Sequence, residues 1–318
     1  MKPGTKVPGH PKGGMARVKI IYLDTWAWIR LEQALTNQDN NLQKILQHLQ
    51  KRVKGGFICL PLSLTHCLEM IKRCNVDDRR RLWSFATRLS GCFGMLNKES
   101  LLPMLINKAV AKVFNVNVVS ESVEVFTNSG LFGIESGGQC LLTDHYLTTE
   151  NGWISFWMDM PSDVCDSFLD PIEKSEKEFV KRRNELKELW RKEQQDNRKK
   201  AYIARLFYDL QTYYHSAMMS LGKNQEDIEH IDMEDRLRLV TEVPPLDVEV
   251  SLAVQHQQQW DKEERDNDAR DIGHLCMAIP YCDVVITERY WIDKIKKEKI
   301  DVKYGTQVSS DIGSLLNL

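Results

Sequence analysis

Apolar and polar positions along the chain follow two periods, and their order predicts a mixed α/β protein. Arg17 to Leu23 (RVKIIYL) is a β-branched, apolar run that stops at Asp24, as a strand buried on both faces of a parallel sheet does. Thr25 to Leu35 then predicts a helix. Asn40 to Val53 predicts another, with Leu42, Ile45, Leu46 and Leu49 spaced along one face. Gly55-Gly56 stops it, and Phe57 to Leu60 is a second short strand. Ser63 is the expected N-cap of a helix from Leu64 to Cys74. Strand, helix, strand, helix in this order implies right-handed βαβ units.

Asp78 to Leu89 and Leu101 to Phe114 predict further amphipathic helices, whereas Ser129 to Asp163, rich in Gly, Ser, Thr and Trp, predicts loops. Asp170-Pro171 is an expected helix start, and Ile172 to Leu221 has no Pro or Gly, which predicts one long helix or a helical hairpin. Pro244-Pro245 interrupts that pattern. Helices over Leu246 to Asp261 and Asn267 to Ile279 follow, then a third buried strand, Asp283 to Thr287 (DVVIT), and a charged helix from Tyr290 to Lys297. The implied organisation is a flexible leader (1–16), a sheet domain in two halves (17–95 and 246–318) and a mostly helical insertion (96–245). Met15 is a second candidate for the natural start.

Composition narrows the picture little. The net charge is −2 over 318 residues, so contact with nucleic acid has to come from local patches. The segment Lys174 to Arg205 holds twelve Lys or Arg against six Asp or Glu. A solvated helix face is its ordinary reading. Arg182, Arg183, Arg198, Lys199 and Lys200, with Trp190 and Tyr202, are the candidates there for gripping a phosphate backbone. No apolar run is long enough to span a membrane. Eight cysteines without C-x-x-C pairs read as reduced, buried thiols, and a cytoplasmic location is expected. Gly222-Lys223 lacks the upstream glycine of a phosphate-binding loop, and the glycines around Ser136 are misplaced for a nucleophile elbow.

The chemistry on offer lies in four carboxylates. Parallel sheets place ligands beyond the carboxyl ends of their strands. Asp24 ends the first strand, Glu69 lies about two turns into the helix after the second, Asp271 opens the helix before the third, and Glu288 follows that third strand. Carboxylates brought together repel, and a hard divalent cation, Mg²⁺ or Mn²⁺, relieves that repulsion.

Three runs also resemble the motif blocks of PIN-domain nucleases: LDTWAWIRL (Leu23 to Leu31), LPLSLTHCLEMIK (Leu60 to Lys72) and NDARDIGHLCMAIPYCDVVITERYW (Asn267 to Trp291). Asp24, Glu69 and Asp271 match the family's first three acids, and Thr287 matches its hydroxyl residue. The fourth acid departs: the family reads Thr-x-Asp, and this chain reads Thr287-Glu288-Arg289. The blocks cover about a third of the chain and are similar to those of larger bacterial PIN-like proteins of toxin or defence type.

The resemblance implies a three-layer, Rossmann-like parallel sheet with a large helical insertion. It also implies phosphodiester hydrolysis, of RNA rather than DNA, with Mg²⁺ or Mn²⁺ held by Asp24, Asp271, Glu288 and Glu69 and with Thr287 in support. His66, His274 and Asp283 read as structural, and Asp268 as a helix cap or a supporting carboxylate. Two other readings stay open: a catalytically weakened PIN-like protein that only binds nucleic acid, and a scaffold whose long helix (170–221) meets a second copy or a protein regulator.

Overall fold

A computed structural model describes residues 17–36, 39–72, 75–116, 123–127 and 191–318 except 192, 225, 227–229 and 259–264, with 170 and scattered positions from 173 to 188. The leader (1–16) and the loops expected over 129–163 lie outside these residues. The first half of the chain gives β1 (Lys19–Leu23), α1 (Thr25–Gln33), α2 (Asn40–Lys54), β2 (Ile58–Cys59), α3 (Leu64–Ile71), α4 (Val76–Ser90), β3 (Gly94–Met95), α5 (Lys98–Val113) and β4 (Phe126–Thr127). The second gives α6 (Gln195–Asp209), α7 (Gln211–Ser220), α8 (Met233–Thr241), α9 (Pro244–Gln257) and α10 (Asp266–Tyr281). Then come β5 (Val284–Ile286), α11 (Arg289–Lys297), α12 (Ile300–Tyr304), β6 (Gln307–Ser309) and a closing 3₁₀ turn, Ile312–Asn317.

These elements form two compact units, and the fold class is mixed α/β, mostly helical. The first unit carries a four-stranded parallel sheet in the order β2-β1-β5-β6. Ile20 to Leu23 are buried because β1 is an interior strand, paired with β2 through Ile20↔Cys59 and with β5 through Leu23↔Ile286. Trp28 and Leu31 of α1, Leu46 and Leu49 of α2, Leu60 just after β2 and Trp83 of α4 share one core with Leu23 and Ile286. The helices start where side-chain caps satisfy their free amides: Asp39 caps α2, Ser63 caps α3 and Asn75 caps α4. Gly91, at φ +63°, ends α4 in the left-handed conformation that glycine adopts without strain.

The second unit is helical. α5 packs on α7 and α8, and α6 on α8 and α9. α9 is buried along its whole length, and Pro244 and Pro245 occupy its first turn, where a missing N–H costs nothing. Its polar Glu249 is held by Lys98 Nζ at 2.9 Å and by the Tyr202 hydroxyl at 3.3 Å, so the buried carboxylate is paired.

Several expectations are corrected. Of the two alternatives for 172–221, the single long helix does not hold: a turn at Arg191 precedes α6, and Leu210 (φ −104°, ψ 11°) separates α6 from α7. Neither break carries Gly or Pro; α6 and α7 seat on different partners, α8 and α9 for one, α5 for the other, and packing sets the break. Arg183 and Tyr202 are buried in the helical unit, with the guanidinium carbon 5.8 Å from the ring centre, and present no open surface for a nucleic-acid strand. Arg182 and Trp190 lie outside the described residues. The seam between the units also differs from the expected one. α9, and α10 up to Pro280, group with the helical unit and leave Asp271 there, whereas the sequence pattern assigns them to the sheet. β6 is an addition that the apolar pattern does not show, since Gln307 to Ser309 contains a single apolar residue. Among the described residues no helix is long and apolar enough to cross a membrane.

Candidate active site

Asp24 stands where β1 ends and α1 begins. Its backbone N–H continues the sheet by donating to Ile286 O at 3.0 Å, and its extended φ and ψ place it at the N-cap position. Its side chain closes no cap hydrogen bond there, although the amides of Thr25 and Trp26 still bear on the carboxylate. Instead, Oδ2 accepts from Thr287 Oγ1 at 3.1 Å. Thr287 is fully buried one residue beyond β5, and its own N–H is anchored on Ser309 O at 3.0 Å. Pairing of β1, β5 and β6 thus brings an acid and a hydroxyl 263 residues apart into one hydrogen bond.

Burial dominates the electrostatics of Asp24. It raises the carboxyl from the ordinary 3.8 to about 6, and the bonds from Thr287, Thr25 and Trp26 only partly oppose the shift. Glu69, half-buried on α3, bears on the same neighbourhood. The phenol of Tyr22 is pushed well up, first by burial and then by the negative charges of Asp24 and Glu69, against the pull of Ser63.

Beneath the carboxylates lies a network that sequence reasoning leaves largely unassembled. Ser63 N donates to His66 Nδ1 at 3.0 Å, so Nδ1 is the unprotonated nitrogen and Nε2–H donates to Leu23 O at 2.7 Å. The His66 ring is fully buried and stacks on Tyr22 with centroids 4.9 Å apart, while the Tyr22 hydroxyl meets Ser63 Oγ at 3.3 Å. His66 therefore ties the start of α3 to the last residue of β1, and both of its ring nitrogens are engaged. The available signal was its spacing from Ser63, three residues on, which here builds a capping box with histidine in the place of Glu or Gln.

The other candidates sit on different elements. Glu288 is exposed at the N-cap position of α11. Asp271 is half-buried within α10, in the helical unit. Asp268 Oδ2 accepts from Arg265 N at 2.9 Å, the back-bond of a helix start, and lies 3.6 Å from His256 Nε2. Asp283 accepts from Ile20 N at 2.9 Å and pairs with Arg17, a structural role at the sheet's opposite end. His274 is buried within α10.

Among the described residues, no group of three or more His, Cys, Asp or Glu side chains is placed to hold a metal ion. Mg²⁺, however, characteristically keeps most of its waters and takes only one or two protein carboxylates. Asp24 and Glu69 offer that donor set: hard oxygens at the carboxyl end of a parallel sheet, one of them destabilised as an anion by burial. Their chemistry fits a divalent cation. Compared with known proteins, the chain matches no family profile, no curated protein and no solved structure.

Proposed function

We propose that the chain is a divalent-metal-dependent nuclease of PIN-like type, acting on RNA in preference to DNA. The observation that carries this reading is the buried Asp24 carboxyl, raised to about 6 and hydrogen-bonded by Thr287 from the adjacent strand, with Glu69 close enough to act on the same phenol. A group with that proton affinity changes state near neutral pH, and a structural cap has no need of it. Asp24 and Glu69 are the groups that would hold Mg²⁺ or Mn²⁺. Bound there, such an ion supplies Lewis acidity and an acidified water for phosphodiester hydrolysis. Thr287 orients the Asp24 carboxyl by donating to Oδ2, and the Ser63–His66–Leu23 chain holds the β1 end and α3 in register.

The test is cleavage of end-labelled single-stranded RNA and DNA in Mn²⁺ or Mg²⁺, with EDTA controls. Wild type, Asp24→Asn, Glu69→Gln and Asp271→Asn are compared side by side. Metal-dependent cutting of RNA by wild type, lost in Asp24→Asn and Glu69→Gln, supports the reading. The Asp271→Asn variant asks whether the third matched acid belongs to the same machinery. Cutting that persists in Asp24→Asn or in EDTA refutes the mechanism.

A further inference from the structure

Two residues past Asp24, α1 turns a second feature outward. Trp26 and, one helical turn on, Arg30 share a face of α1, and both line a groove of about 680 Å³ whose other walls are the start of α2 and the closing 3₁₀ turn. Pockets of this size accept small organic ligands. All of its lining belongs to the sheet unit.

The lining has a definite chemical character. Trp26 is half-buried, packs against the core of the sheet unit and stacks on no other aromatic ring among the described residues, so the part of its indole that lines the groove is open to a stacking partner. Arg30 is exposed and makes no ion pair among the described residues. Asp39 and Asp311 of the lining each commit Oδ1 to a cap: Asp39 accepts from Asn41 N and Leu42 N, and Asp311 from Gly313 N at 2.7 Å. Both remain exposed carboxylates, joined by the Asn41 amide and the Ser310 hydroxyl. Two acids disfavour a phosphate inside the groove, whereas an aromatic platform beside hydrogen-bond acceptors suits a flat, neutral ring that donates. Exocyclic amino groups of nucleobases are such donors, and acidic side chains accept from them. Arg30, the one cationic side chain of the lining, is then left for the backbone phosphate.

We propose that this groove receives one unpaired base of a single-stranded nucleic acid, with preference for a base carrying an exocyclic amino group. The proposal deepens the nuclease reading, on which it rests: Asp24 is the N-cap residue of α1 and Trp26 lies in its first turn, so the groove and the carboxylate belong to the same end of one helix. A stacked base fixes the strand's register against the carboxylate, which is how a positioning contact contributes to cleavage.

The experiment uses the full chain with Asp24→Asn, which binds without cutting, and fluorescence anisotropy with labelled 12-mers. The probes are single-stranded RNA of A, C or U, an RNA duplex, and a set with one abasic site moved along the strand. Adding Trp26→Ala is expected to weaken single-strand binding about tenfold, while Trp26→Phe, which keeps a stacking face, stays within about threefold. One abasic position should weaken the parent by a similar factor and leave the Trp26→Ala protein unaffected. Arg30→Gln should lower the slope of log K against log salt by about 0.7. Asp39→Asn with Asp311→Asn, which preserves both caps, should erase the preference of A and C over U.

Equal binding by the Trp26→Ala and parent proteins, with unchanged melting curves, overturns the proposal, as does equal binding of the duplex. The two readings fail separately. A wild type that cuts RNA but ignores Trp26 removes only the base site. Base-dependent binding by a protein that never cuts removes only the nuclease.

Discussion

Asp24→Asn should make the protein more stable at neutral pH, although it removes the side chain on which the proposed chemistry depends. Burial raises the Asp24 carboxyl from 3.8 to about 6. The folded state therefore binds this proton more tightly than the unfolded state does. The sign follows: the contribution to stability is fully present below pH 3.8 and is lost as pH rises through about 6. At about 1.4 kcal/mol per unit, the charged carboxylate leaves the fold about 3 kcal/mol less stable at pH 7.5 than a neutral isostere would. Asparagine is that isostere. Its amide oxygen still accepts from Thr287 Oγ1, and it carries no charge to desolvate. Urea unfolding of both proteins at pH 7.5, 5 and 4 measures the effect. The variant should be ahead by about 3 kcal/mol at pH 7.5, by about half that at pH 5, and by little at pH 4. Saturating Mg²⁺ should narrow the gap from the wild-type side, because a cation stabilises only the protein with the charged ligand. A variant that is less stable at pH 7.5, or a difference independent of pH, would refute the assignment of Asp24 as a carboxylate destabilised by its site.

Thr287→Val removes the strongest of the bonds that hold the Asp24 carboxyl down, so its pKa rises further above 6. Metal-dependent cutting should then move to higher pH, and stability at pH 7.5 should fall by about 1–2 kcal/mol, read from a pH–rate profile and urea unfolding. His66→Ala strands both the Ser63 amide and the Leu23 carbonyl in a fully buried place and should cost about 2–4 kcal/mol. In that variant cutting should fall with the structure around β1, whereas Mg²⁺ dependence persists in whatever activity remains. Lys98→Met leaves the buried Glu249 carboxylate without its cation and should cost about 3 kcal/mol; the double variant with Glu249→Gln should recover part of this in urea unfolding.

What could be read from the sequence follows from what each pattern physically encodes. β1 and β5 were legible because strands covered on both faces must be continuously apolar, and Ile20–Leu23 and Val284–Ile286 are. Ser63 was legible as a cap because capping is local. β6 was not, because an edge strand can pair through its backbone while showing polar side chains to water, as Gln307 and Ser309 do. The break at Leu210 was not, because helix propensity is weak and the separate partners of α6 and α7 override it. The same division runs through the site. Which residues are acidic is a sequence fact, but the state of a carboxyl is set by what surrounds it. Asp24 and Glu288 look alike as acids closing strands; one is buried under Thr287 with its proton affinity raised, and the other is exposed at a helix start. The hydrogen bond to Asp24 joins residues 263 positions apart through strand register, which no local pattern reports. Burial, the quantity that separates a reactive carboxylate from a capping one, enters only when β1 is flanked by β2 and β5. That is why the proposed chemistry centres on Asp24, with Glu69 and Thr287 as its candidate partners, once the sheet is assembled.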